Sequence, residues 1–268
     1  MSGRPAMAAR SGAALMVVLW LIVALGTISS GVLLSTRTAT AAAANYRAGV
    51  AGRFSAESGI TLAVATLENS LRALSGSTAR QDYLNHLDLA LGGSERGALG
   101  DARFAIALID VSARLDVNNA NATALATLFS FFTDAIEAEQ AAAAVVAFIA
   151  GGGDAGVAAA DPAIPRGLPA SRPLRSLDAL ARVPGFPRTL AERASPYLTV
   201  DGDGTINRVT ASDTVRAAAA GELRDEPSRI LIVSRGWLQG QPATHEIQAV
   251  YAISGDELVL VRWREREL

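Results

Sequence analysis

The chain has 268 residues, half of them hydrophobic and 19% charged, with a formal net charge of −2 and a pI near 5.8. It has no cysteine, which excludes disulfide frameworks, thiolate metal sites and cysteine nucleophiles. The acidic balance offers no electrostatic footprint for nucleic acid, and every basic residue is arginine.

Arg10-Ser11-Gly12 precedes an apolar stretch from Ala13 to Leu34, and no charged side chain follows until Arg37. About 22 residues at a rise of about 1.5 Å make roughly 33 Å of helix, enough to cross a hydrocarbon core of about 30 Å. Three readings fit this start. A secretory signal peptide would have an apolar core of about 7–15 residues, shorter than this one. A plain single-span anchor fits the length. A prepilin-type leader fits too, being short, basic and closed by a glycine; the cut would fall between Gly12 and Ala13, where a residue without Cβ lets a protease approach the backbone. Arginines flank both ends of the span, so charge bias does not set its orientation.

Ser35 to about Leu74 contains no proline and reads as a continuation of the helix. Tyr46, Val50, Phe54, Ile60, Val64, Leu67, Leu71 and Leu74 follow spacings of three and four once Glu57 is counted on the same stripe, so one face is expected to pack on a domain. Glu57, the first acidic residue, is read either as an edge residue reaching water or as a carboxylate paired with Arg53 or with a partner subunit. Ser75–Gly100 reads as loop, with a short helix near Tyr83–Leu91. Phe104–Val111 is apolar and of strand length, and a second run passes through Leu115 and Val117.

Asn121 is placed to cap a helix through Phe132. Asp134 with Glu137 reads as a capping box for a helix ending at Gly151-Gly152-Gly153. Asp154–Pro173 reads as loop, Ser176 as the cap of Leu177–Val183, and Pro184-Gly185-Phe186-Pro187 as a turn into a helix over Arg188–Leu198. After the Asp201-Gly202-Asp203-Gly204 turn come a strand over Thr205–Val209, a helix from Ser212 to Ala220, and strands over Arg229–Ser234, His245–Ile253 and Leu258–Arg264. The last two are joined by a hairpin at Ser254–Glu257. Leu115-Asp116-Val117-Asn118-Asn119-Ala120-Asn121 and Ile206-Asn207-Arg208-Val209-Thr210-Ala211-Ser212 echo each other, each leading from a strand-like residue into a capped helix. The order helix, strands, helical block, strands predicts an α+β domain with an all-helical insertion.

Taken together, Ser11-Gly12-Ala13-Ala14-Leu15, Val17-Val18-Leu19-Trp20, Ala56-Glu57-Ser58-Gly59-Ile60, Leu115-Asp116-Val117-Asn118, Leu177–Gly185 and Thr205-Ile206-Asn207 with Thr210-Ala211-Ser212 resemble, in order and spacing, the minor pseudopilin K family of type II secretion (general secretion pathway protein K). The resemblance implies a pilin-like long helix packed on a small antiparallel sheet, interrupted by a large α-helical insertion domain. It implies cleavage after Gly12 and N-methylation of Ala13 by a prepilin peptidase, and a single-pass inner-membrane precursor with its globular domain in the periplasm. It also implies a non-catalytic role at the pseudopilus tip, with the minor pseudopilins I and J and other pseudopilins as partners and no nucleic acid. The fifth mature position, Glu in most pilin-like proteins, is Val17 here. An intramembrane Glu is costly unless a subunit ahead neutralises it, and a tip subunit has none ahead.

The division expected is a leader over 1–12, the transmembrane part of the long helix over 13–34 and its amphipathic part over 35–75. First pseudopilin strands and loop follow over 76–117, the α-helical insertion over 118–204 and the second strand region over 205–268. The family's acidic cluster after the helical block is thin here, with Asp154 and only Asp161 beyond it, and Val209 stands where the family has a second asparagine. Calcium is the one candidate cofactor, with Asp154, Asp161, Asp201 and Asp203 as candidate ligands; a bare turn is the simpler reading of Asp201–Gly204, because Ca²⁺ takes about six or more oxygens.

Two other function classes compete, and a type IV pilus or competence minor pilin would share the leader and helix. Leu180–Phe186 resembles the hairpin of helix-hairpin-helix DNA-binding proteins, but Pro187 stands at the second glycine position and has no N–H to offer a phosphate. As an enzyme, the chain offers His86 and His245 in no recognisable motif, and surface or structural histidine is the better reading.

Overall fold

The computed structural model describes residues 8–87, 95–151, 173–219, 221–242 and 244–268, with backbone alone at 8–13, 95 and 96. Helix α1 runs unbroken over Ala8–Ala73, 66 residues or about 100 Å at about 1.5 Å each. No proline interrupts it. Gly76, at φ 97°, turns the chain into α2 (Ser77–Asn85), which buries Leu84. The helix expected near Tyr83–Leu91 therefore lies earlier, starting where this glycine releases the chain; residues 88–91 lie outside the described residues.

A five-stranded antiparallel sheet carries α1 on one face. Its strands are β1 (Glu95–Leu99), β2 (Ala102–Asp110), β7 (Arg229–Leu238), β8 (Thr244–Ser254) and β9 (Glu257–Glu267), in the spatial order β1-β2-β7-β8-β9. β1 was expected as loop. Its sequence Glu-Arg-Gly-Ala-Leu carries little strand propensity; the hairpin at Gly100-Asp101, with Gly100 at φ 60°, and the ladder to β2 impose the strand. Alternation decides the faces: Ile230 and Ile232 of β7 and Ile247 and Ala249 of β8 are buried against Ala56, Ile60, Ala63, Leu67 and Leu71 of α1.

The insertion enters after β2 and returns at β7, so adjacent strands are joined through it. It contains β3 (Leu115–Asp116), α3 (Ala122–Phe129), α4 (Ala135–Ile149), a 3₁₀ turn at Leu177–Arg182, α5 (Arg188–Ala194), β4 (Leu198–Thr199), β5 (Ile206–Asn207), α6 (Asp213–Ala218) and β6 (Leu223–Arg224). Its own apolar core runs from Leu115 to Ala218 and centres on Leu125, Leu128, Phe129, Leu180, Leu198 and Ile206. Phe129 and Phe186 meet edge to face at 5.4 Å between ring centres.

The caps largely act as expected. Asn121 accepts from the Ala124 N–H at 2.8 Å, Ser212 from Val215 at 3.3 Å, and Asp134 from Ile136 and Glu137 at 3.0 and 2.9 Å. Three details differ. The Glu137 carboxylate accepts from the Thr133 hydroxyl instead of closing a capping box. Ser176 makes no side-chain cap, and the segment after it is 3₁₀. The helix from Arg188 stops at Ala194, because Pro196 has no N–H to continue it.

The sequence echo has a structural counterpart. The Asp116 and Asn207 side chains accept from the N–H two residues on at 3.0 and 3.1 Å, and their carbonyls accept from the N–H four residues on at 2.8 and 2.9 Å. Each short strand is thus turned into a capped helix by the same Asx turn.

Candidate assembly interface

Along Leu15–Leu34 every large apolar side chain of α1 is uncovered by the rest of the protein. An 18-residue window in this helix has a mean hydropathy of 2.4, so it is long and apolar enough to cross a membrane. Its threonines turn their hydroxyls back onto the helix: Thr27, Thr36, Thr38 and Thr40 donate to carbonyls three or four residues back. Gly12 and Ala13 lie within the helical backbone, and Val17 is on the uncovered segment.

From Ala48 onward α1 sits on the sheet through small residues. Ala48, Gly52, Ser55, Ala56, Gly59 and Ala63 form the buried stripe before Leu67 and Leu71 take over. A Cβ on Gly236 of β7 would stand 2.1 Å from the Gly52 carbonyl oxygen and 2.4 Å from the Ala56 nitrogen. Helix and strand backbones therefore meet with no room for a side chain. The Ser55 hydroxyl donates across this contact to the Arg103 carbonyl at 2.7 Å.

This corrects the first half of the expected stripe, while Ile60, Leu67 and Leu71 are buried as expected. Tyr46, Val50 and Phe54 are not in the interface; Tyr46 and Phe54 are 75% and 59% exposed and share the open side of α1 with Leu62. Large residues cannot enter where backbones are this close, so around Gly52 and Ala56 the small ones define the buried face, and Ile60 begins the larger side chains that follow. Glu57 is half exposed and 3.9 Å from Arg53, whose closer partner is Glu265 of β9 at 2.8 Å. The Arg53 hydrogen bonds, with help from the Trp263 and His245 rings, hold the Glu265 carboxyl down at about 2.

The acidic candidates have separate partners. Asp154 and Asp161 lie outside the described residues. Asp201 Oδ1 is shared by Arg262, at 2.6 Å, and Arg264. Asp203 Oδ1 accepts from the Thr205 N–H and hydroxyl and from Ser228; burial pushes this carboxyl up, but those bonds and Arg229 bring it below its ordinary value. Two guanidiniums on one carboxylate oxygen do not fit a Ca²⁺ cage of about six or more oxygens. Among the described residues no group of three or more acidic or histidine side chains converges as a metal site.

The sequence reading missed Asp110. Burial pushes its carboxyl up, while Asn207 Nδ2, the Thr210 hydroxyl and the Ser112 N–H donate to it at 2.8, 2.5 and 2.7 Å. Asn207 also donates to Asn85 of α2 at 2.8 Å, so this cluster ties the insertion to the end of β2 and to α2. Asp110 ends an apolar run and so reads as a strand terminus; only its partners, distant in sequence, reveal the clamp. His86 Nδ1 meets the Asp82 carbonyl at 2.8 Å and His245 Nε2 meets Glu265 at 3.2 Å, both local structural contacts.

No protein-family model matches the chain, and no curated protein matches it. A search of solved structures finds a chain in the crystal structure of the GspK-GspI-GspJ complex from the type 2 secretion system of enterotoxigenic Escherichia coli. The superposition has a TM-score of 0.61 at 15% identity and covers 85% of this chain and 99% of that one. The chain thus has a pilin-like α+β fold of the kind found in that complex, with one long helix on an antiparallel sheet and a helical insertion between two neighbouring strands.

Proposed function

We propose that the chain is a minor pseudopilin of the K type, placed at the tip of a type II secretion pseudopilus. One observation carries this reading: a single helix is bare over Leu15–Leu34 and packed on the sheet from Ala48, with a helical insertion between β2 and β7. Exposed apolar surface on this scale needs lipid or other helices to cover it. The span anchors the precursor in the inner membrane, with the globular part in the periplasm. A prepilin peptidase cuts after Gly12 and methylates Ala13. The helix then leaves lipid to pack on the helices of the I and J partners, and the chain acts by assembly, without catalysis. The boundaries proposed above divide it into leader, helix, strand regions and insertion, and the bulk of the insertion blocks addition of a further subunit. The type IV pilus alternative shares the leader and helix, and the insertion favours secretion over it.

The deciding measurement is the N-terminus of the mature protein. N-methylated alanine at position 13 is expected, and Gly12→Leu should abolish processing; a mature chain beginning near Ala42 overturns the reading. Val17→Glu should leave co-purification with the I and J partners unchanged, since a tip subunit has no amine ahead to pair with; loss of the complex would contradict tip placement.

A further inference from the structure

The face of β8 and β9 turned away from α1 carries an ordered array of charges. Arg235, Glu246 and Arg266 lie opposite one another on β7, β8 and β9, and Arg264 and Arg262 follow at alternate positions along β9, opposite Gln248 and Val250. They therefore share one face. The two acids of the array lie beneath the surface: Glu246 is 1% exposed and Asp201 8%, whereas Arg235 and Arg266 are more than half exposed and Arg262 and Arg264 about a third. Glu246 accepts from Arg235 at 2.6 Å, from Arg266 at 2.7 Å and from Gln248 at 2.7 Å. Four guanidiniums thus stand over two buried carboxylates, in fixed positions with unused N–H donors facing water. The remaining acids at this end of β9, Glu265 and Glu267, alternate onto the α1 side.

Beside this ridge β9 forms the edge of the sheet, and among the described residues no strand pairs with its outer side. A bulge at Val261, where the register passes from Val250 with Arg262 to Tyr251 with Leu260, separates the exposed apolar start of β9 from the regular stretch Arg262–Glu267. A groove of about 470 Å³ opens next to it, with Ile109, Leu231 and Gln248 from the sheet and Leu177, Leu198 and Arg114 from the insertion in its walls.

We infer that Arg262–Glu267 and the arginine ridge dock an extended, acidic segment of a partner protein, which adds to β9 as a sixth strand. Main-chain hydrogen bonds to the open edge supply the pairing, and acidic side chains at every second position of the added strand meet Arg262, Arg264 and Arg266. Charge complementarity selects the occupant: four guanidiniums over two carboxylates leave the ridge net positive, an uncharged strand brings no acceptor carboxylates to its outward N–H donors, and a basic one is repelled. The inference stands whether or not the chain is a pseudopilin, because it uses only the sheet.

The test measures binding of labelled peptides to the full chain in detergent micelles by fluorescence anisotropy. The probes are an alternating Thr–Asp peptide, an alternating Thr–Arg peptide, and the Thr–Asp peptide N-methylated at every second residue. The Thr–Asp peptide is expected to bind, to weaken about tenfold as salt rises well above physiological strength, and to lose binding on N-methylation. Arg266→Gln and Arg235→Gln, each leaving Glu246 one guanidinium, should each weaken it about threefold or more with the circular dichroism spectrum unchanged. Equal binding of the two unmodified peptides, or no binding, overturns the inference. Undiminished binding of the N-methylated peptide overturns strand addition. Retained affinity in both folded arginine variants overturns the role of the ridge.

Discussion

The body formed by α1 and the sheet and the insertion are packed by opposite means. The first brings backbones together: Gly52, Ala56 and Gly59 of α1 lie against Ser234 and Gly236 of β7, and a Cβ on Gly59 would stand 2.2 Å from the Ser234 hydroxyl. The second separates its short elements with large side chains, among them Phe129, Leu125, Leu128 and Leu190. The contact at Gly52–Gly59 fails when an atom is added, and the core around Phe129 when atoms are removed. The reason is length. A long helix and a continuous ladder can align many small contacts, whereas helices of one to four turns with two-residue strands must fill the space between them.

The sharpest way to break this contrast is Phe129→Ala, which should cost about 3–5 kcal/mol because a fully buried ring leaves a cavity among rigid neighbours. Amide exchange should accelerate from Leu115 to Ala218 while β7 and β8 stay protected; equal loss of protection in the sheet would show one cooperative unit instead of two cores. Gly236→Ala tests the other side. Its Cβ meets backbone atoms that cannot rotate away, so a loss of about 1–3 kcal/mol or more is expected, with exchange rising along Gly52–Gly59 and β7 and not in the insertion. An unchanged midpoint would mean the helix and sheet tolerate separation.

The smallest effect concerns the seam between α1 and β9. Glu265 falls from an ordinary 4.5 to about 2 in the folded chain, so its contribution is present above about pH 4.5 and is lost as pH drops toward 2. Glu265→Gln should lower stability slightly at neutral pH, since Arg53 is open to water, and the difference from the parent chain should shrink below about pH 4.5 and vanish as pH falls through about 2. A difference that persists there would point to packing of the side chain and not to its charge.

Much of the fold is legible in single stretches. The uninterrupted apolar run before Arg37 determines a helix long and apolar enough to cross a membrane, and Asn121, Asp134 and Ser212 mark helix starts because a cap needs only its own next three residues. Strands β2, β7 and β9 follow from apolar runs of strand length, and β8 also from alternation, since period two is a property of the backbone. Tertiary structure decided the rest. It made a strand of Glu95–Leu99, replaced the Tyr46–Val50–Phe54 stripe by Ala48–Gly52–Ala56, and paired Asp201 with Arg262 and Arg264. Each of these outcomes depends on which residue, distant along the chain, arrives at a given point in space. Local periodicity records what a segment prefers, but it holds no information about how close its eventual neighbour will come.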